Sequence, residues 1–266
     1  MNARDDRAKA RRALKGKWIR MAALILLANA VLLVLAGIFV FAAMGPLMVG
    51  AFQGLDRMVY GAEAATRELM QIPTSFFAVL IVGTAVILAA ESLLLVGLSG
   101  AACAALRGRQ PQPKQLFSVR LFGKAVAMNY LRFLLVGIQL MLLVVPGVIA
   151  ALRYAMADYL LASHPNMSPV EALRRSRTRM HGKKRKLFRL MLGFIGGALV
   201  LSLPVLALRL WGRAPFIPAV IVYLLCAVGQ LFLAAYALTA ITVFFRRADG
   251  KNKRRGSKTA TVMSEK

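Results

Sequence analysis

Four ionisable side chains, Glu91, Arg132, Arg153 and Asp158, stand inside long apolar stretches of this 266-residue chain. A charge at mid-membrane depth costs about 2.5 to 3.5 kcal/mol on insertion scales, so such residues face a bundle interior and pair. Two acids and two bases make a neutral set. Two chemistries fit it: a path for a polar substrate or proton, or an internal salt-bridge cluster that sets helix register. At 1.5 Å per residue, Glu91 lies about 22 Å into its stretch and Arg132 about 15 Å into the next from the opposite face. Those depths make Glu91 and Arg132 the expected pair.

Other chemistry-bearing patterns are missing from the sequence. It contains no HExxH, GxSxG, Walker loop or GxGxxG, and His164 and His181 are isolated. Cys103 and Cys226 lie in apolar runs without a CxxC, which reads as two small buried apolar residues. The expectation is a protein that is not an enzyme, with no cofactor and no metal site. Gly193-x-x-x-Gly197 is a small-xxx-small spacing that lets two helices approach closely.

The elements that must position these residues are membrane helices. A hydrophobic content of 59%, a mean hydropathy of +0.65 and a net charge of +26 do not occur together in an ordinary soluble domain. Apolar stretches cover 18–44, 76–106, 125–163, 187–210 and 215–245. The first is far longer than the ~7 to 15 residues of a signal-peptide core, so it reads as an uncleaved span. The third has 39 residues, about 58 Å as one helix against a hydrocarbon core of ~30 Å. Pro146-Gly147 near its centre divides it into a hairpin of spans 125–145 and 147–163.

Basic residues decide between five spans and six, because Lys and Arg in short loops stay on the cytoplasmic side. Residues 1–20 hold eight, 107–124 five, 174–189 nine and 246–266 eight, together 30 of the 36. Only six spans place all four clusters on one side. Between the first two spans, Phe52, Leu55, Val59, Ala62 and Leu69 recur at approximate helical spacing, which predicts a short outer surface helix, with a loose loop as the alternative. Ser168-Pro169-Val170-Glu171 is a capping-box start, and Gly182 suits the stop. The helix between them carries Arg174, Arg175, Arg177 and Arg179 opposite Val170, Leu173 and Met180. That pattern predicts a basic interfacial helix facing anionic lipid.

Residues 142–197 resemble a known family. Pro146 and Gly147, Tyr154, Met156, Tyr159, Asn166, Ser168, Glu171, Ala172, Ser176, Arg177, Met180, Gly182, Lys184 and Phe194-Ile195-Gly196 follow the pattern of the bacterial integral membrane proteins catalogued as domain of unknown function nine-seven-five. Leu14 to Trp18, Tyr236 and Phe244-Phe245-Arg246 extend the likeness. It departs at Asp158, where the family usually has Pro, at Gln139 and at Gly197. The resemblance implies a membrane fold and no assigned chemistry.

The sequence therefore predicts an all-α polytopic transmembrane helix bundle of six spans in a bacterial plasma membrane, with both termini cytoplasmic. A basic leader, 1–17, precedes a membrane domain, 18–245, with spans 18–44, 76–106, 125–145, 147–163, 187–210 and 215–245. A basic disordered tail, 246–266, follows. The expected partners are the bilayer and anionic phospholipid headgroups. A pI near 11.5 also suits nucleic acid, but the basic tracts adjoin spans and lack aromatics to stack bases, so no nucleic acid is expected. A membrane-protein partner or a homo-oligomer stays open. The functional expectation is an envelope accessory or scaffold component; the alternative is a small transporter of ions, lipids or small molecules. Reporter fusions after residues 110, 183 and 250 should read cytoplasmic, and fusions near 60 and 146 should read external. A deeply cytoplasmic signal at 146 would break the hairpin assignment.

Overall fold

The computed structural model describes residues 3–60, 74–117, 119–211 and 216–264, all in helices, turns or short connections. Its helices are α1 (Ala3–Leu14), α2 (Trp18–Tyr60), α3 (Thr74–Leu106), α4 (Val119–Leu142), α5 (Val144–Tyr154), α6 (Ala157–Ser163), α7 (Pro169–Arg179), α8 (Lys184–Trp211) and α9 (Phe216–Ser264), with a 3-10 turn at Pro113–Gln115. Among the described residues, six segments are long and apolar enough to cross a membrane: Trp18–Gly45, Phe76–Leu106, Leu121–Leu142, Val144–Ser163, Lys184–Leu208 and Pro218–Gly250. The fourth joins α5 and α6.

Two boundaries differ from the sequence reading. α2 continues through Gly45 to Tyr60, taking in the first half of the predicted outer helix, whose remainder at 61–70 lies outside the described residues. α9 continues to Ser264 through the segment expected to be a disordered tail. No proline follows Pro218 in that segment, and Gly250 and Gly256 each cost a helix only about 1 kcal/mol.

The chain forms two compact units, Ala28–Glu91 and the combination of Met1–Leu27 with Ser92–Lys266. In the smaller unit α2 meets α3 where Gly83 leaves room for the Phe39 ring; a Cβ there would collide with it. Leu33, Phe41 and Ile81 are more than 70% exposed. Bulky apolar side chains left outward like these on a helix bundle need lipid rather than water around them.

In the larger unit α9 packs on α8 and α1, α4 on α5, and α7 on α4, α5 and α6. Its core gathers Met128 of α4, Met156 in the α5–α6 connection, Leu160 and Leu161 of α6, Leu173 of α7, Leu187 and Leu190 of α8, and Phe244 of α9. The fourth span is the most buried: 56% of its apolar window is buried, against 11 to 17% in the other five. Its remaining exposed side chains, Val144 and Val145 foremost, are left for lipid.

The basic leader is itself a helix. Asp5 and Asp6 lie in the first turn of α1 and Arg11 and Arg12 in the last, an order that complements the helix dipole. Asp6, Ala10 and Leu14, spaced four apart, are all buried. Gly16, at a φ of +76°, turns the chain into α2, a conformation that is cheap for glycine.

The hairpin in the long apolar stretch turns earlier than Pro146. α4 ends at Leu142, Leu143 is extended, and α5 starts at Val144. Pro146 is then the third residue of α5, where the missing N–H has no intrahelical partner to lose. Gly147 provides the close approach: a Cβ on it would stand 2.7 Å from Leu140 Cγ and 2.9 Å from Leu140 Cα. Gly137 on α4 has nothing within 4 Å of its own Cβ position. Gly147→Ala should therefore lower the detergent Tm by several degrees, the overpacking cost being about 1 to 3 kcal/mol. Gly137→Ala should leave it unchanged or raise it. Equal effects of the two would show that the hairpin is not closed at Gly147.

Candidate functional site

Of the four intramembrane charges, the structure brings two together. Arg132 Nη1 of α4 donates to Asp158 Oδ2 of α6 at 2.6 Å, with the two side chains 23% and 14% exposed. The sequence reading paired Arg132 with Glu91; its carboxylate partner here is Asp158. Glu91 is the last residue of the smaller unit and is exposed. Arg153, half-buried in the last turn of α5, contributes its carbonyl, which accepts from Ser176 Oγ at 2.9 Å. The second carboxylate oxygen, Asp158 Oδ1, is buried without a hydrogen-bond partner among the described residues. Asp158 is the second residue of α6, just past the break at Ala155-Met156. The site is thus a charge pair beside an interrupted helix.

At the ends of the spans, polar contacts gather the basic segments at one end of the larger unit. Asp6 of α1 pairs with Arg247 of α9, and Arg179 of α7 with Asp249 of α9. Lys183 Nζ donates to the Ala248 carbonyl at 3.2 Å, and Arg246 Nη1 to the Leu106 carbonyl at the end of α3 at 3.1 Å. Lys124 Nζ of α4 donates to the Pro165 carbonyl at 2.9 Å. These contacts tie the ends of α1, α3, α4, α6, α7 and α9 into one face. Burial pushes the Asp6 carboxyl above its ordinary value, against the pull of Arg247. Burial first, and then the neighbouring Arg175, lowers the Arg179 guanidinium.

α7 starts where the capping pattern places it. Ser168 Oγ accepts from the Glu171 N–H at 3.3 Å, Pro169 is the first helical residue, and Gly182 follows the helix at a φ of +72°. The Glu171 carboxylate goes to Arg175 at 2.6 Å, one turn on. Leu173 and Met180 of the expected apolar stripe are buried in the protein core, with Ala172 and Ser176 beside them. Val170 is exposed. Of the four arginines, Arg174, Arg175 and Arg177 are exposed, whereas Arg179 is held by Asp249.

The two small-residue positions of α8 face different neighbours. Gly197 lies against Leu233 of α9, whose Cδ2 is 3.5 Å from the position of a Cβ. Gly193 leaves room for the Arg7 guanidinium of α1, which a Cβ would strike. Arg7 sits over the Phe194 ring with Cζ 5.3 Å from the centroid, a cation–π contact. Phe194 meets Tyr236 edge-on, and Tyr236 meets Trp18.

Asp6, Arg7, Arg247 and Asp249 were not singled out from the sequence as site residues. One signal for the first was available: Asp6, Ala10 and Leu14 repeat every fourth residue, which is one face of a helix.

A family model described as "Protein of unknown function (DUF975)" matches residues 51–252 of the chain. No curated protein and no solved structure matches it.

A double-mutant cycle tests the charge pair. Arg132→Leu and Asp158→Leu should each lower the detergent Tm, since each strands the other charge, and the double variant should recover much of the loss. The expected interaction energy is about 0.5 to 3 kcal/mol. Strictly additive losses would mean that the two do not interact.

Proposed function

The chain belongs to the DUF975 family, and we propose that it is a multi-pass membrane protein without catalytic activity. In this reading it is an accessory or scaffold component of the bacterial plasma membrane. Its termini and its basic face lie in the cytoplasm, against anionic phospholipid headgroups. The observation that carries the reading is the gathering of the basic segments on one face. Lys and Arg in short loops are retained on the cytoplasmic side, and each near an anionic surface is worth about 1 kcal/mol. Arg174, Arg177, Arg185 and Lys186 are exposed on that face and are available to headgroups.

A second reading is transport of an ion, lipid or small molecule. It is favoured by the charge pair beside a broken span, since discontinuous helices near mid-depth are what substrate sites in transporters use. Arg153, in the last turn of α5, would then supply further charge along the path.

The full-length protein in vesicles with spin-labelled lipids separates these. Labelled phosphatidylglycerol should be enriched several-fold over labelled phosphatidylcholine at the protein boundary. The enrichment should fall as salt rises, because the screening length drops from ~8 Å at physiological ionic strength to ~3 Å at 1 M. Replacing Arg174, Arg177, Arg185 and Lys186 together with Gln should reduce it. Equal partition of the two lipids would sink the lipid-facing reading. Solute flux that Asp158→Leu abolishes would establish transport instead.

A further inference from the structure

The connection between α3 and α4 folds back instead of taking the shortest route. Gly108, at a φ of +83°, reverses the chain after α3, and the Arg109 N–H bonds to the Ala104 carbonyl at 3.0 Å. The chain then descends along α3. At Gly97 a Cβ would stand 2.6 Å from Leu116 Cα and 2.8 Å from the Gln115 and Leu116 carbonyls. Gly97 precedes the end of α3 by nine residues, roughly 14 Å of helix. That last length of α3 becomes a wall, and Leu116, fully buried, anchors the returning strand of chain.

Between the wall and the returning chain lies a pocket of about 340 Å³, within the ~300 to 1,000 Å³ usual for small-ligand sites. Its lining is divided by chemistry. Arg107, Arg109 and Lys114 bring three cations and no carboxylate accompanies them, while Leu93, Val96 and Leu121 are apolar. None of the three cations makes an ion pair among the described residues. Three like charges around one cavity repel, and an anion between them relieves that repulsion. Gln115 also lines the pocket.

We propose that this pocket binds a phosphate ester, with the phosphate among Arg107, Arg109 and Lys114. The proposal deepens the lipid-facing reading and rests on it: an anionic phospholipid of the surrounding bilayer is the nearest source of such a group, and the apolar residues accept the start of its chains. A soluble phosphate ester is the other source of the same chemistry. Diffuse attraction to an anionic surface needs only exposed charge; this site is a cavity and saturates with one ligand.

Gly100 provides a test that removes no charge. It lines the pocket, and a Cβ on it would meet only Ala162 Cβ, at 4.0 Å, so Gly100→Leu fills the space without pressing on the backbone. Delipidated full-length protein in detergent is titrated with dihexanoyl phosphatidylglycerol, dihexanoyl phosphatidylcholine, glycerol 3-phosphate and inorganic phosphate at fixed ionic strength, with Tm as the readout. Phosphatidylglycerol should raise the Tm saturably and phosphatidylcholine should not. Gly100→Leu should weaken the response at least tenfold while keeping its ligand-free Tm and its boundary enrichment of phosphatidylglycerol. The Arg107→Gln, Lys114→Gln double variant should weaken it similarly, and serves if Gly100→Leu fails to fold. A response to glycerol 3-phosphate as tight as that to the lipid assigns the site to a soluble ester. Equal shifts with phosphatidylcholine, or a shift that survives both variants, overturn the site even where the boundary enrichment holds.

Discussion

Crowding of positive charge at one end of a helix bundle is the constraint around which the larger unit is organised. With 36 basic and ten acidic residues, most cations cannot be neutralised by the chain itself. The few carboxylates are placed where they tie elements far apart in sequence. Asp6 joins the first helix to Arg247 near the end of the last, and Asp249 joins that same end to Arg179 of α7. These pairs are partly buried, so solvent and salt screen them less than the exposed Glu171–Arg175 pair, which belongs to the class worth about 0.3 to 0.5 kcal/mol. Arg246, Lys124 and Lys183 use backbone carbonyls instead, which lets a cation be bound without a second charge.

Close approaches in this fold are made at glycines, and each admits a different neighbour. Gly97 admits the backbone of the α3–α4 connection, Gly147 admits α4 at Leu140, Gly193 admits the Arg7 guanidinium, and Gly197 lies in ordinary contact with Leu233. In a membrane no hydrophobic force separates helix contact from lipid contact, so van der Waals fit and polar contacts decide association. The fourth span shows the consequence. It is the most buried of the six, broken at Ala155-Met156, and linked to α4 through Arg132 and Asp158.

The six apolar segments, the four basic clusters, the Ser168 cap and the Gly182 stop could be read in one dimension, because segment length, composition and cap geometry are local properties. The partner of Arg132 could not. Residue counting gives depth along a helix but not the azimuth at which a side chain leaves it, and Asp158 stands at the right azimuth. The same ignorance of azimuth hid the Arg7–Gly193 contact and the docking of α1. It also hid the pocket, whose wall and rim belong to residues that only a reversed chain brings together. Even the hairpin follows this division: Pro146-Gly147 marked where the chain must turn, but the turn falls at Leu143, because proline is tolerated in the first turn of a helix and α4 packs against Gly147.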